Sequence, residues 1–184
     1  MDHPGQKVQV DVKYVPAACL VGEAVEDAKE NGGYYYQYTF IDEYSRFRYL
    51  EAFREHNSNS SSVFIKHCVE RFPYRIECVQ TDNGLEFTNR LSPKNSSRKT
   101  LFEITLEQLG IKHKLIKPYT PRHNGKVERS HRKDNEYFYA NHKFFSFEDF
   151  QKQLVVHQQK YNSFPMRPLN WRSPREVLLS YATY

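Results

Sequence analysis

The segment from Lys7 to Val15 alternates strictly, with Val8, Val10, Val12 and Tyr14 falling on one side and Gln9, Asp11 and Lys13 on the other. A period of two belongs to a β-strand, so one face of this strand must lie on a core while the other stays polar. That commits the chain to a sheet and lodges a carboxylate, Asp11, in mid-strand on the polar side. Ala17 to Gly33 is acidic and without period, so an irregular stretch is expected there; it ends in the turn signal Asn31-Gly32-Gly33. The aromatic run Tyr34 to Ile41 reads as a second strand. Asp42-Glu43-Tyr44-Ser45 connects it to a third, Arg46 to Phe53, which completes a hairpin and an antiparallel meander.

After the meander the pattern changes to helices alternating with short strands. Asn57 to Ser62 is a polar cluster able to cap a helix that runs through Val63, Phe64, His67, Cys68 and Phe72 to Pro73. Arg75 to Thr81 reads as a strand ending at Asp82-Asn83-Gly84, and Arg90 to Thr100 as a polar loop. Leu101 to Leu109 reads as a helix stopped by Gly110, and Ile111 to Ile116 as a fifth strand. Two prolines make Pro118 to Asn124 irregular, a helical pattern resumes from Gly125 to about Asn141, and Ser146 caps a last helix, Phe147 to Tyr161. Helical crossovers make the later strands parallel to their neighbours. The fold class expected is α/β: a five-stranded mixed sheet, three antiparallel strands plus two parallel ones, flanked by helices.

A chain of 184 residues suits one domain with a sizeable core, expected over 5–164 with 165–184 as a C-terminal extension. Cys19, Cys68 and Cys78 are odd in number and widely spaced, with no C-x-x-C pair, which argues against a disulfide framework or a zinc site and for reduced, buried thiols. No membrane-spanning stretch and no signal-peptide pattern is present, so an intracellular, cytoplasmic protein is expected. The net charge of +5 is a modest pull toward polyanions. Its distribution says more. Between Lys112 and Lys133 lie eight Lys and Arg and three His, but a single acid, Glu128.

Three acids occupy chemically telling places: Asp11 inside a strand, Asp82 at a strand's end and Glu128 in a helix's first turn. Each has a plain reading: an ion pair with Lys13, a turn residue, and an acid favoured by the helix dipole. If the three converge, their repulsion requires cations or shared protons, and hard oxygen ligands favour Mg²⁺ or Mn²⁺, which take their remaining ligands from water and phosphate. Asp42 reads as a structural acid bonding turn amides, and Glu86 and Glu103 as surface acids. His113, His123 and His131 lack zinc spacing.

The residues carry a resemblance in ordered pieces: Val10-Asp11-Val12-Lys13-Tyr14, Phe40-Ile41-Asp42-Glu43-Tyr44-Ser45-Arg46, and Gln80-Thr81-Asp82-Asn83-Gly84-Leu85-Glu86-Phe87. They continue with Pro118-Tyr119-Thr120-Pro121-Arg122-His123-Asn124-Gly125-Lys126-Val127-Glu128-Arg129, then Tyr161-Asn162 and Arg167-Pro168. Together they resemble the retroviral-integrase-like catalytic core of DDE-type insertion-sequence transposases, over nearly the whole chain. The resemblance implies a ribonuclease-H-like fold and a catalytic, metal-binding triad of Asp11, Asp82 and Glu128. It implies two Mg²⁺ or Mn²⁺ ions when DNA is bound, and cleavage of transposon ends followed by their joining to target DNA. It further implies a homo-oligomer on DNA and a bacterial, nucleoid-associated setting, and the chain reads as lacking the N-terminal DNA-binding domain. Glu128 follows Asp82 by 46 positions, longer than is common in the family, and the loop from Arg90 to Thr100 is expected to absorb the excess at the surface.

Around the triad, Arg122, Asn124, Lys126, Arg129, His131, Arg132 and Lys133 are the expected DNA contacts. Glu128, His131, Arg132 and Asn135 recur at helical spacing and share one face. Two other readings stay open: a catalytically silent DNA-binding or scaffold domain of the same fold, and a ribonuclease-H-like nuclease.

Overall fold

The computed structural model describes residues 1–116 and 125–181. Its centre is one five-stranded sheet of order β3-β2-β1-β4-β5, built from β1 (Val8–Tyr14), β2 (Tyr36–Asp42), β3 (Arg48–Phe53), β4 (Cys78–Thr81) and β5 (Lys112–Leu115). β2 is antiparallel to both β1 and β3, while β4 is parallel to β1 and β5 to β4. The expected mixed sheet is therefore present, with some strand ends shifted by one to three residues.

Among the described residues six helices flank the sheet: α1 (Glu23–Glu30), α2 (Ser58–Arg71), α3 (Leu101–Gln108), α4 (Gly125–Tyr137), α5 (Phe147–Ser163) and α6 (Pro174–Tyr181). Asn57 caps α2 and Ser146 caps α5 through their side chains, as read from the sequence. Two helices lie where none was expected. The stretch from Ala17 to Gly33 holds a 3-10 turn and α1, whose inner face is made of Ala24 and Ala28, residues too small to register as an apolar stripe. The C-terminal extension carries α6, and its Leu178 enters the main core while its carbonyl accepts a 2.7 Å bond from the Tyr74 hydroxyl. Glu103, expected at the surface, closes a capping box with Thr100 at the start of α3.

The sheet divides two apolar clusters. One packs Val8, Val10, Phe40 and Val79 against Phe64, Phe102 and Leu106 of α2 and α3; the other packs Tyr35 and Leu50 against Phe138, Phe144, Phe150 and Leu154. α4 lies on the second side, yet of its residues only Val127, Ser130 and Asp134 are buried. Polar bonds hold it instead. The Arg48 guanidinium, fully buried, donates to Asp134 Oδ1 at 2.9 Å and to Ser130 Oγ, and it lies 4.0 Å from the Tyr161 ring centre. Asp134 also accepts from Gln37 at 2.9 Å and is 2.8 Å from His157 Nε2. Burial would raise the Asp134 carboxyl, but Arg48, His157 and Gln37 outweigh it and hold it well below the usual carboxylate range.

Edge strand β3 is closed by α5. Asn162 accepts from the Arg48 amide at 2.9 Å and donates to its carbonyl at 2.8 Å, and Gln158 accepts from the Leu50 amide at 2.5 Å. Cys19 and Cys68 are buried and Cys78 half-buried, all as free thiols. Among the described residues no helix is long and apolar enough to cross a membrane.

Asp134→Ala would strand the Arg48 charge in the interior and is expected to lower stability by about 3–5 kcal/mol in urea unfolding. The double variant Arg48→Met/Asp134→Leu, which removes both charges, is expected to cost less than half as much.

Candidate functional site

The parallel register that sets Val8 beside Val79 and Gln9 beside Gln80 leads, two residues further on, to Asp11 and Asp82. Neighbouring strands stand about 4.8 Å apart, so the ladder itself delivers two carboxylates to one level, Asp11 midway along β1 and Asp82 just past the C-terminal end of β4. Asp11 Oδ1 accepts from the Val12 amide, and Asp82 Oδ1 from the Gly84 amide, each at 2.9 Å. The second bond is the turn predicted from Asp82-Asn83-Gly84, and it presents the carboxylate at the strand end.

Burial, with repulsion from Asp82, Glu86 and Glu128, pushes the Asp11 carboxyl up to about 8 against the opposing Val12 amide. Asp82 is also raised, chiefly by burial and further by Glu86, with the Gly84 amide and His56 opposing. Glu86, read as a surface acid, is instead part of this field. Its side chain is 10% exposed and its carboxylate lies 2.9 Å from His56 Nε2, while His56 rests against the rings of Tyr14 and Tyr36. Glu86 also folds back over Gly84, where a Cβ would stand 2.5 Å from either of its carboxylate oxygens.

Glu128 lies in the first turn of α4 and is exposed. The helix is tied down around it. Gln9 on β1 accepts from the Val127 amide at 3.0 Å, satisfying a first-turn donor, and donates to Glu43 at 2.9 Å. Glu43 also binds Lys7 at 2.8 Å and Lys126 at 2.7 Å. Burial opposes ionisation of Glu43, but bonds from Lys126, Lys7 and Gln9 bring its carboxyl down to about 2.

One helical turn beyond Glu128, His131 faces inward, which corrects its expected place on a DNA-holding face. Its Nε2 is 3.1 Å from Thr39 Oγ1 and its Nδ1 is 3.6 Å from Asp11 Oδ2; burial lowers its pKa to about 4, so it is neutral at pH 7. Lys126 is likewise committed to Glu43. Arg129, Arg132 and Lys133 are exposed. Arg122 and Asn124, and most of the motif from Pro118, lie outside the described residues. The loop 90–100 lies at the surface, as expected, with Arg90, Lys94, Arg98 and Lys99 all exposed. Asp42 is structural, as read: it accepts from the Gly5 and Ser45 amides at 2.9 and 2.7 Å.

Asp11, Asp82 and Glu86 offer only oxygen donors, and the charge they share calls for a hard cation. Among the described residues no three His, Cys, Asp or Glu side chains are gathered closely enough to hold one ion between them. Glu128 acts on Asp11 through space.

Comparison with known proteins agrees with this geometry. Residues 1–121 and 109–174 each match a model described as Integrase core domain. The chain is 30% identical over 181 residues to a putative integrase, ORF3, of Spiroplasma virus SpV1-C74, and covers 94% of itself and 47% of that protein. It is 33% identical over 101 residues, 54% of the chain, to a retrovirus-related Pol polyprotein from transposon RE2 of Arabidopsis thaliana, of which it covers 6%. The chain thus spans about half or less of the length of these relatives. Among solved structures, the catalytic core domain of BIV integrase matches with a TM-score of 0.64 at 16% identity, over 97% of each chain. The HTLV-2 integrase catalytic core domain in complex with magnesium matches with the same score and identity, over 96% of this chain and 97% of that one. These likenesses identify the fold as ribonuclease-H-like.

The raised Asp11 pKa has a consequence for stability. The folded state holds the proton more tightly than the unfolded one, so the cost of Asp11 is absent below about pH 4 and grows until pH 8. In thermal melts without metal, Asp11→Asn is therefore expected to stabilise the protein at pH 7.5, by a few kcal/mol at about 1.4 kcal/mol per pH unit, and to leave it unchanged at pH 4.

Proposed function

The chain belongs to the integrase core domain family, and from that membership we propose that it is a DDE-type catalytic core that cuts transposon ends and joins them to target DNA. The observation that carries the reading is the pair Asp11 and Asp82, brought level by the β1–β4 register, with Glu86 bearing on both and Glu128 on Asp11. Asp11, Asp82 and Glu128 are the catalytic, metal-holding acids in this proposal. Bound Mg²⁺ or Mn²⁺, two ions with DNA present, would supply Lewis acidity and a lowered pKa for the attacking hydroxyl.

The protein's own groups do the rest. Gln9 and Glu43 hold the start of α4, and through it Glu128, against β1. His131 backs the Asp11 carboxylate as a neutral neighbour, which spares the acid a permanent ion pair that would compete with a cation. Arg129, Arg132 and Lys133, with Arg122 and Asn124, meet DNA phosphates and set its register without reading bases. A water or a DNA 3′-hydroxyl forms the new bond to phosphorus as the opposite P–O bond breaks, so no group of the protein is consumed. A homo-oligomer assembled on DNA is part of the proposal. It is supported by solved relatives described as an intasome and as a trimeric form.

In a nicking and joining assay with cognate ends and Mg²⁺ or Mn²⁺, Asp82→Asn is expected to lower the rate by at least about 100-fold, a loss of roughly 3 kcal/mol of transition-state stabilisation. Its melting curve should keep the wild-type cooperativity. Undiminished activity would remove Asp82 from the site and overturn the assignment.

A further inference from the structure

The segment from Asn89 to Thr100 links the turn after β4 to α3, and of its residues only Thr100, the cap of α3, is buried. It contributes no strand or helix, and it contains Arg90, Lys94, Arg98 and Lys99 without a single acid. It is nevertheless a closed loop. Asn89 Nδ2 donates to the Arg98 carbonyl at 2.9 Å across the neck, and the turns Asn89–Ser92 and Asn95–Arg98 each close by a backbone bond. Thr88 and Thr100 root it: Thr88 Oγ1 donates to Glu103 at 2.8 Å and Thr100 Oγ1 to the Phe87 carbonyl at 2.9 Å. Lys99 pairs with Glu107, which leaves the exposed Arg90, Lys94 and Arg98 as outward charges.

Topology fixes where these charges stand. β1, β3 and β4 all run the same way, so their C-terminal ends share one end of the sheet. Asp82 stands just past that end of β4, level with Asp11 midway along β1, and the loop begins only three residues after Glu86, whose carboxylate bears on both aspartates. Thus a cationic loop follows closely in the chain on a cluster of acids that repels a polyanion. Its arginines and lysine sit on short turns rather than on a helix or strand shaped to enter a groove. They suit phosphates, which repeat along any duplex, and not base edges.

We infer that the loop 89–100 is a sequence-independent clamp on the phosphate backbone of duplex DNA that reaches Asp11 and Asp82. The inference rests on the reading of Asp11 and Asp82 as a DNA-cutting site. It is tested by fluorescence anisotropy of the whole chain with a duplex of random sequence, over 50 to 200 mM salt. The triple variant Arg90→Gln/Lys94→Gln/Arg98→Gln is expected to bind more weakly, with a log–log salt slope shallower by about 2–3, since each lost phosphate contact removes about 0.9. The advantage of the wild type should accordingly shrink about 40-fold across that range. Lys94→Glu alone should weaken binding further than Lys94→Gln, and both should melt as the wild type does because the site is exposed.

An unchanged slope in a variant that melts normally overturns the clamp and leaves the catalytic reading intact. Absence of any duplex binding by the wild type overturns the clamp as well. Failure of the wild type to nick or join its cognate ends, with the slope change still present, would instead count against the catalytic reading alone.

Discussion

The buried pair of Arg48 and Asp134 decides where α4 lies, and much of the molecule follows from that helix. α4 buries little apolar surface, so the hydrophobic effect, which has no direction, cannot set its rotation about its own axis. Directional bonds from Arg48, Gln37 and His157 to Asp134 do so, and the bond from Gln9 to the Val127 amide sets the level of the first turn. With rotation and level both fixed, His131 must meet Asp11 and Glu128 must stand one turn above it. A helix held by grease alone would let these side chains wander by an angle comparable to their spacing. Buried charge-assisted bonds in a dry interior are costly to break one at a time, which suits a helix whose rotation must be held.

The sheet could be read from the chain because its signals are local. Period-two alternation placed β1 and Asp11, the Asp-Asn-Gly turn ended β4 at Asp82, and capping residues marked α2 and α5. The misses share a cause as well. α1 buries alanines, so its amphipathic stripe is faint, and it starts at Gly22 with a positive φ rather than at a side-chain cap. Glu86 looked like any surface acid, because nothing in Gly-Leu-Glu-Phe reveals that the turn folds its carboxylate back over Gly84 and toward His56, 30 positions away. Helical spacing placed His131 beside Glu128 correctly but could not say which flank of α4 meets the sheet. That depends on Arg48 and Asp134, whose pairing spans 86 positions and leaves no mark in either neighbourhood.

Charge is divided in space more sharply than in sequence. The acids gather where β4 ends beside the middle of β1, and burial strengthens their repulsion. Nearby, Lys7 and Lys126 are spent on Glu43, and His131 is kept neutral, so few fixed cations reach the aspartates. A carboxylate cluster so underneutralised carries uncompensated negative charge, while Arg129, Arg132 and Lys133 stay exposed on α4. The two signs of charge are kept apart by the fold's choice of which lysines to tie down.

The two rims of the sheet are treated differently from its ends. Along β3, Asn162 and Gln158 occupy the outward amides of Arg48 and Leu50, so α5 plays the part of a sixth strand without being one. Along β5, Lys112 and Lys114 are exposed, and like charges set side by side discourage a second strand from docking. A sheet so sealed resists lateral growth into ribbons or fibres. Contacts between copies of this chain would thereby be directed to its helices and loops rather than to its strand edges.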